Sequence, residues 1–169
     1  MYQPLEIEGT KELFDDVQSN PAGGDYEGLR VRLALVRDPD WKKANKPEIT
    51  SSRIAYKVAR DLKDDYVENI LVLILNARHR VLGVYEAARG GIAGVEIHPA
   101  DVLRAVLAAG TNFFILVHNH PSGDPTPSVE DRALTQRMQK AAKCVGVTML
   151  DHLIVGLEDC VSFADRGWL

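Results

Sequence analysis

The stretch HNHPSGDPTPSVED, residues 118–131, restricts what this chain can fold into more than any other segment. Pro121, Pro125 and Pro127 have no amide donor, so a sheet ladder cannot run through it. The apolar run NFFILVH (112–118) before it must therefore end as a strand at the histidines. Ser128 is a helix-capping residue type, and Leu134, Met138 and Ala142 then recur on one helical face over 129–143. The segment thus dictates a buried strand, a stiff turn and a helix that folds back over the strand end.

The rest of the chain supplies the partners for that strand. SSRIAYKVARDLKDD (51–65) has cap-type serines and then Ile54, Ala55, Val58 and Leu62 at helical spacing. NILVLILN (69–76) is a continuous apolar run, which predicts a strand buried on both faces. NARHR (76–80) is a polar turn and VLGVYEA (81–87) its return strand, giving a hairpin. A short strand is expected around Val95–Ile97. Pro99 starts a helix that Gly110 ends. VTMLDHLIVG (147–156) and VSFAD (161–165) read as the last strands. Upstream, 19–28 is turn-rich, 29–36 alternates as a half-buried strand, and 38–47 is a charged loop. Helices inserted between strands predict one α+β domain around a central mixed sheet.

Composition narrows the function classes. A chain of 169 residues, 46% hydrophobic and 26% charged, is large enough for one globular domain with a core. With 20 basic and 24 acidic side chains the net charge is −4, which gives no support to tight non-specific nucleic-acid binding. No apolar run reaches the roughly 18 residues of a membrane span, and the N-terminus lacks the pattern of a signal peptide. Cys144 and Cys160 form no CxxC pair and read as reduced thiols, small and buried, in a cytoplasmic protein.

The chemistry concentrates in the same restrictive stretch. His118 and His120 are two apart at a strand end, so both rings project to one face, about 7 Å apart by strand rise. The turn can bring Asp131, on the helix's first turn, back over them. Two nitrogens and a carboxylate with a fourth position open is the layout of a catalytic zinc site. Such an ion lowers the pKa of a coordinated water to roughly 7 and polarises a carbonyl. Ser128-x-x-Asp131 is also a capping-box pattern, so Asp131 can be read as a cap or as a ligand. Asp124 can be a ligand or the anchor of an Asx turn. His152 reads as a packed, hydrogen-bonded strand residue, and His98 and His79 as exposed or structural.

HNHP, six residues, Ser128, two residues and Asp131 match the JAMM (JAB/MPN+) metalloprotease motif at every fixed position. The chain resembles the RadC branch of that superfamily, also through LVLILN, HPADVLRAVLAAG, MLDHLIVG and VSFADRGWL, over 48–169. The resemblance implies a single JAMM/MPN-like, cytidine-deaminase-like α+β domain at 48–169, with 1–47 as an extension packed on or beside it. It implies Zn2+ held by His118, His120 and Asp131, with Ser128 supporting the oxyanion. It also implies an upstream glutamate as general base: Glu68 matches best, Glu86 second and Glu96 third. The implied activity is hydrolysis of a peptide or isopeptide-linked protein substrate. The alternative is a RadC-type DNA-repair or nucleic-acid-associated accessory protein, such as a nuclease, with a metal site. Full-length RadC-like proteins carry an N-terminal region resembling helix-hairpin-helix modules, and residues 1–47 do not read as one.

Overall fold

Six consecutive apolar residues, Asn69–Leu75 after its first position, can be buried only in the middle of a sheet, and that is where they lie. The computed structural model describes residues 47–90 and 97–169. In chain order the elements are α1 (Ser52–Ala59), a 3₁₀ turn (Arg60–Asp64), β1 (Asn69–Leu75), β2 (Val81–Arg89), α2 (Pro99–Ala108), β3 (Phe113–Asn119), α3 (Val129–Cys144), β4 (Thr148–Val155) and β5 (Cys160–Ser162). The sheet order is β2-β1-β3-β4-β5. Only β3 and β4 run parallel; the other neighbours are antiparallel. This is a mixed sheet in an α+β domain, as the sequence predicts.

The two-residue period of the strands sorts their side chains into two cores. Ile70, Val72, Ile74, Phe114, Leu116 and Met149 face α2 and α3, where they meet Val102, Val106, Leu134 and Met138. Leu73, Leu75, Ile115, Val117, Leu153 and Val155 face the other way, against Ala55 and Ala59 of α1 and Leu62. Each fully buried aliphatic side chain contributes roughly 1.5–3 kcal/mol relative to its exposed form. His118 continues the phase of Phe114 and Leu116, so it lies on the α3 side of the sheet. Asn119 continues the phase of the other face.

Several expectations change in detail. The 51–65 helix is an α-helix only to Ala59 and tightens into a 3₁₀ turn to Asp64. Ser51 makes no side-chain cap bond; Ser52 instead donates its hydroxyl to Asp165, 2.5 Å away. The last strand stops at Ser162, not Asp165. The buried Asp151 carboxylate accepts the Ala164 amide at 2.9 Å and the Ser162 hydroxyl at 2.6 Å, which bends the chain out of the ladder. Cys144 is exposed at the end of α3 and Cys160 half-buried, both as free thiols, so neither is the buried hydrophobe expected. The expected elements at 19–28, 29–36 and 38–46, and residues 91–96 with Glu96 and most of the Val95–Ile97 strand, lie outside the described residues. Among the described residues, no helix is long and apolar enough to cross a membrane.

Candidate metal centre

The cluster forms where β3 runs out and α3 begins. β3 delivers His118 at its penultimate position, with the ring almost fully buried. His120 lies just past the strand, its amide still held by Val155 of β4 at 2.9 Å. The turn then docks on the end of β4: the Gly123 carbonyl accepts the Leu157 amide at 3.0 Å. Asp124 forms the expected Asx turn, its carboxylate accepting the Thr126 amide at 2.9 Å. Its backbone carbonyl, rather than its side chain, serves the cluster by accepting from His120 Nδ1 at 2.8 Å.

Gly156 is the position on which that docking depends. A Cβ there would stand 2.5 Å from the Gly123 carbonyl oxygen and 2.7 Å from Pro125 Cδ. Both neighbours are stiff, so Gly156→Ala must push the 121–127 turn off β4. The expected loss is about 1–3 kcal/mol of unfolding free energy, measured by urea denaturation. A variant of unchanged midpoint would refute the docking role.

Asp131 turns out to be both cap and cluster member. At the third position of α3 it completes a capping box with Ser128. Its Oδ2 accepts the Ser128 amide at 2.7 Å and the Ser128 hydroxyl at 2.6 Å, while its own amide donates to Ser128 Oγ at 3.0 Å. The box aims the carboxylate inward: Oδ1 lies 3.1 Å from His118 Nε2 and Oδ2 lies 3.4 Å from His120 Nε2. The two Nε2 atoms are 3.0 Å apart. His118, His120 and Asp131 are the group among the described residues that could hold a metal ion.

The donor set fits such an ion. A tetrahedral zinc with bonds of about 2.0–2.1 Å sets neighbouring donors about 3.3 Å apart. The separations of 3.0, 3.1 and 3.4 Å bracket that value. The outer nitrogens also point the right way. A carbonyl can only accept, so His120 gives its Nδ1 hydrogen to Asp124, and in the neutral ring Nε2 is left with a lone pair. Burial alone would raise the Asp131 carboxyl, but the neighbouring His118 and His120 rings and the Ser128 hydroxyl outweigh it and hold the group well below the usual carboxylate range. The same contact with Asp131 raises His120 above its ordinary value, against the effect of burial. A proton and a cation therefore compete for His120 Nε2.

Glu68 is the acid the fold brings to the cluster. Ile70 pairs with His118 across β1 and β3, which places Glu68, two residues earlier, beside the strand end. Its Oε1 lies 4.0 Å from His118 Nε2, with the side chain 24% exposed. Its backbone is pinned from two sides. Its carbonyl accepts the Gly90 amide at 2.8 Å. Asn119 accepts the Asn69 amide at 2.8 Å and donates to Val67 O at 3.0 Å and Asp65 O at 3.3 Å. Glu86 pairs with Leu71, whose side chain belongs to the α1 face, and stands by Arg89 at 4.0 Å. The fold does not bring it to the cluster.

His152 completes the inner layer. It is fully buried on β4, 2.9 Å from His118 Nδ1 and 2.6 Å from Thr135 Oγ1. Burial pushes its imidazole well below the ordinary value. Phe163 stacks on it, Trp168 packs edge-on against Phe163, and Arg132 covers Trp168. His79 packs edge-on against Phe113, and His98 is exposed; neither is near the cluster. Sequence reasoning passed over Asn119, Thr135 and the Asp124 carbonyl. Thr135 carried a signal, since it stands four residues after Asp131 on the same helical face.

Comparison with known proteins agrees with this geometry. The model of the RadC-like JAB domain matches residues 49–168. The chain belongs to the RadC-like JAB domain family. It is 40% identical over 141 residues to UPF0758 proteins of Shewanella pealeana and Shewanella halifaxensis, covering 83% of this chain and 61% of each relative. It is also 40% identical over 114 residues to a UPF0758 protein of Photorhabdus laumondii, covering 62% of this chain and 50% of that one. The chain thus spans between half and about three fifths of the length of these relatives.

Proposed function

We propose that this domain is a zinc-dependent hydrolase of peptide or isopeptide bonds. The observation that carries the reading is the convergence of His118 Nε2, His120 Nε2 and the Asp131 carboxylate within 3.0–3.4 Å of one another, with a carboxylate, Glu68, at 4.0 Å. Zinc bound there supplies a Lewis acid that acidifies water and polarises the scissile carbonyl. The protein residues do the rest. Glu68 takes the proton of the attacking water and returns it to the leaving amine. Ser128, whose hydroxyl now bonds Asp131, can turn to donate to the developing oxyanion while its amide remains on the carboxylate. His120 and Glu68 are the more exposed members, with side chains 18% and 24% accessible, so substrate approaches from their side.

The purified chain is expected to carry about one zinc per chain by elemental analysis. It should cleave some member of a panel of linear peptides and lysine isopeptides. Chelation should abolish the cleavage and added zinc restore it. A chain with its three ligands intact that takes up no zinc near that stoichiometry would overturn the reading.

A second reading, a nucleic-acid-associated accessory protein, draws on the exposed side of α3. Arg132, Arg137, Lys140 and Lys143 lie there, all exposed, with no acidic residue after Asp131 in the helix. A DNA titration at low and moderate salt tests it, and absence of binding at low salt removes it.

A further inference from the structure

The proton on His118 is not free to choose its nitrogen. Four groups stand in a line behind the ring: His118 Nδ1, His152 Nε2 and Nδ1, Thr135 Oγ1, and the Asp131 carbonyl. Their separations are 2.9, 2.6 and 2.7 Å. The last member fixes the direction of the whole row. A carbonyl oxygen only accepts, so the single hydroxyl hydrogen of Thr135 is spent on Asp131 O. Thr135 Oγ1 must then accept from His152, which puts the hydrogen of that buried neutral ring on Nδ1. His152 Nε2 is left as an acceptor, and it takes the Nδ1 hydrogen of His118. The Nε2 of His118 therefore carries a lone pair, and it is the atom 3.1 Å from Asp131 and 3.0 Å from His120 Nε2.

We propose that His152 and Thr135 form a relay that locks His118 in the Nδ1-protonated tautomer, so that its Nε2 is held ready for a metal ion. The inference rests on the reading of His118, His120 and Asp131 as metal ligands, and it assigns positioning roles to two residues outside that set. The relay is closed on itself. It starts on a ligand, His118, and ends on the backbone of another ligand, Asp131, so α3 cannot shift along β4 without disturbing both. Phe163 holds the plane of the middle ring, its centroid 4.9 Å from that of His152 and the rings 26° apart.

Thr135→Val tests the relay with little change of shape. It removes the acceptor that fixes His152, whose hydrogen can then move to Nε2 and force the His118 hydrogen onto the metal-facing nitrogen. Zinc affinity, measured by competition with a chromophoric chelator, is expected to fall roughly tenfold. His152→Phe, which keeps the stack on Phe163, should cost up to about 100-fold. Thr135→Ser, which restores the hydroxyl, should bind as the unaltered chain does. Long-range proton–nitrogen NMR on the metal-free chain reads the tautomer directly, and His118 should show a protonated Nδ1 that Thr135→Val shifts toward Nε2.

The proposal is overturned if His118 in the unaltered chain is protonated on Nε2, or if folded Thr135→Val binds zinc as tightly as the unaltered chain. A chain that takes up no zinc at all would sink the hydrolase reading, and the NMR tautomer would still decide the relay. A chain that binds zinc but cleaves nothing would sink the hydrolase reading and leave the affinity series to decide.

Discussion

Asp131→Ala is expected to lower zinc affinity by on the order of a thousandfold or more, because one of three protein ligands is lost, and it is the one anionic member of that set. Zinc binding alone, without catalysis, is enough to show the loss. A ligand that binds only the folded chain stabilises it by mass action, by about 4 kcal/mol at a thousand times its dissociation constant. For a domain of this size that is a rise in Tm of roughly 10 °C. The unaltered chain should show the shift on adding zinc and Asp131→Ala should not. Asp131 also caps α3, so the variant starts from a lower baseline, by about 1 kcal/mol. Ser128→Ala separates the two jobs. It removes the hydroxyl of the box at a similar cost but leaves the carboxylate beside His118, so its zinc shift should persist. A full zinc shift in Asp131→Ala would remove the residue from the ligand set.

How much of this was legible in the sequence depends on the range of the contact. The strand, turn and cap that carry His118, His120, Ser128 and Asp131 lie within fourteen residues, and their backbone restrictions are local: prolines without donors, a serine cap, a two-residue strand period. β1 was legible because a run apolar on every position can only be an inner strand. Glu68 was different. Its approach to His118 follows from the antiparallel register that pairs Ile70 with His118, and nothing near Glu68 encodes that register. Only the family resemblance pointed there. The relay has the same origin, since His152 reaches the centre through the parallel pairing of Leu116 with His152 across β3 and β4. Asn119 was passed over because it fills the variable place between two histidines. Strand alternation turns it to the opposite face, where it ties down the Asp65–Glu68 segment. The end of β5 was misplaced because a carboxylate from β4, Asp151, takes the amide that a ladder partner would otherwise have used.

Glu68→Gln is expected to reduce the rate of hydrolysis by about 10²- to 10⁴-fold, the range for loss of a general base, with zinc content and thermal stability unchanged. Glutamine keeps the size and one acceptor of glutamate but cannot take the proton. The carboxylate stands 4.0 Å from His118 Nε2, beyond ligand-to-ligand contact and near enough for a water to lie between Glu68 and an ion at the cluster. Its backbone is fixed by Gly90 on one side and Asn119 on the other, so the side chain swings from a rigid base. Asn119→Ala should therefore lower the rate as well, by less than Glu68→Gln, while sparing zinc binding. Glu86→Gln is the control. That side chain is 53% exposed, pairs with Arg89 and projects from the face of the sheet that carries α1. Its replacement should leave the rate within about twofold, as surface changes away from a site do. If Glu68→Gln retained full activity, or Glu86→Gln lost it, the base would have to come from elsewhere. The register of β1 against β3 would then be positioning Glu68 for a purpose other than proton transfer.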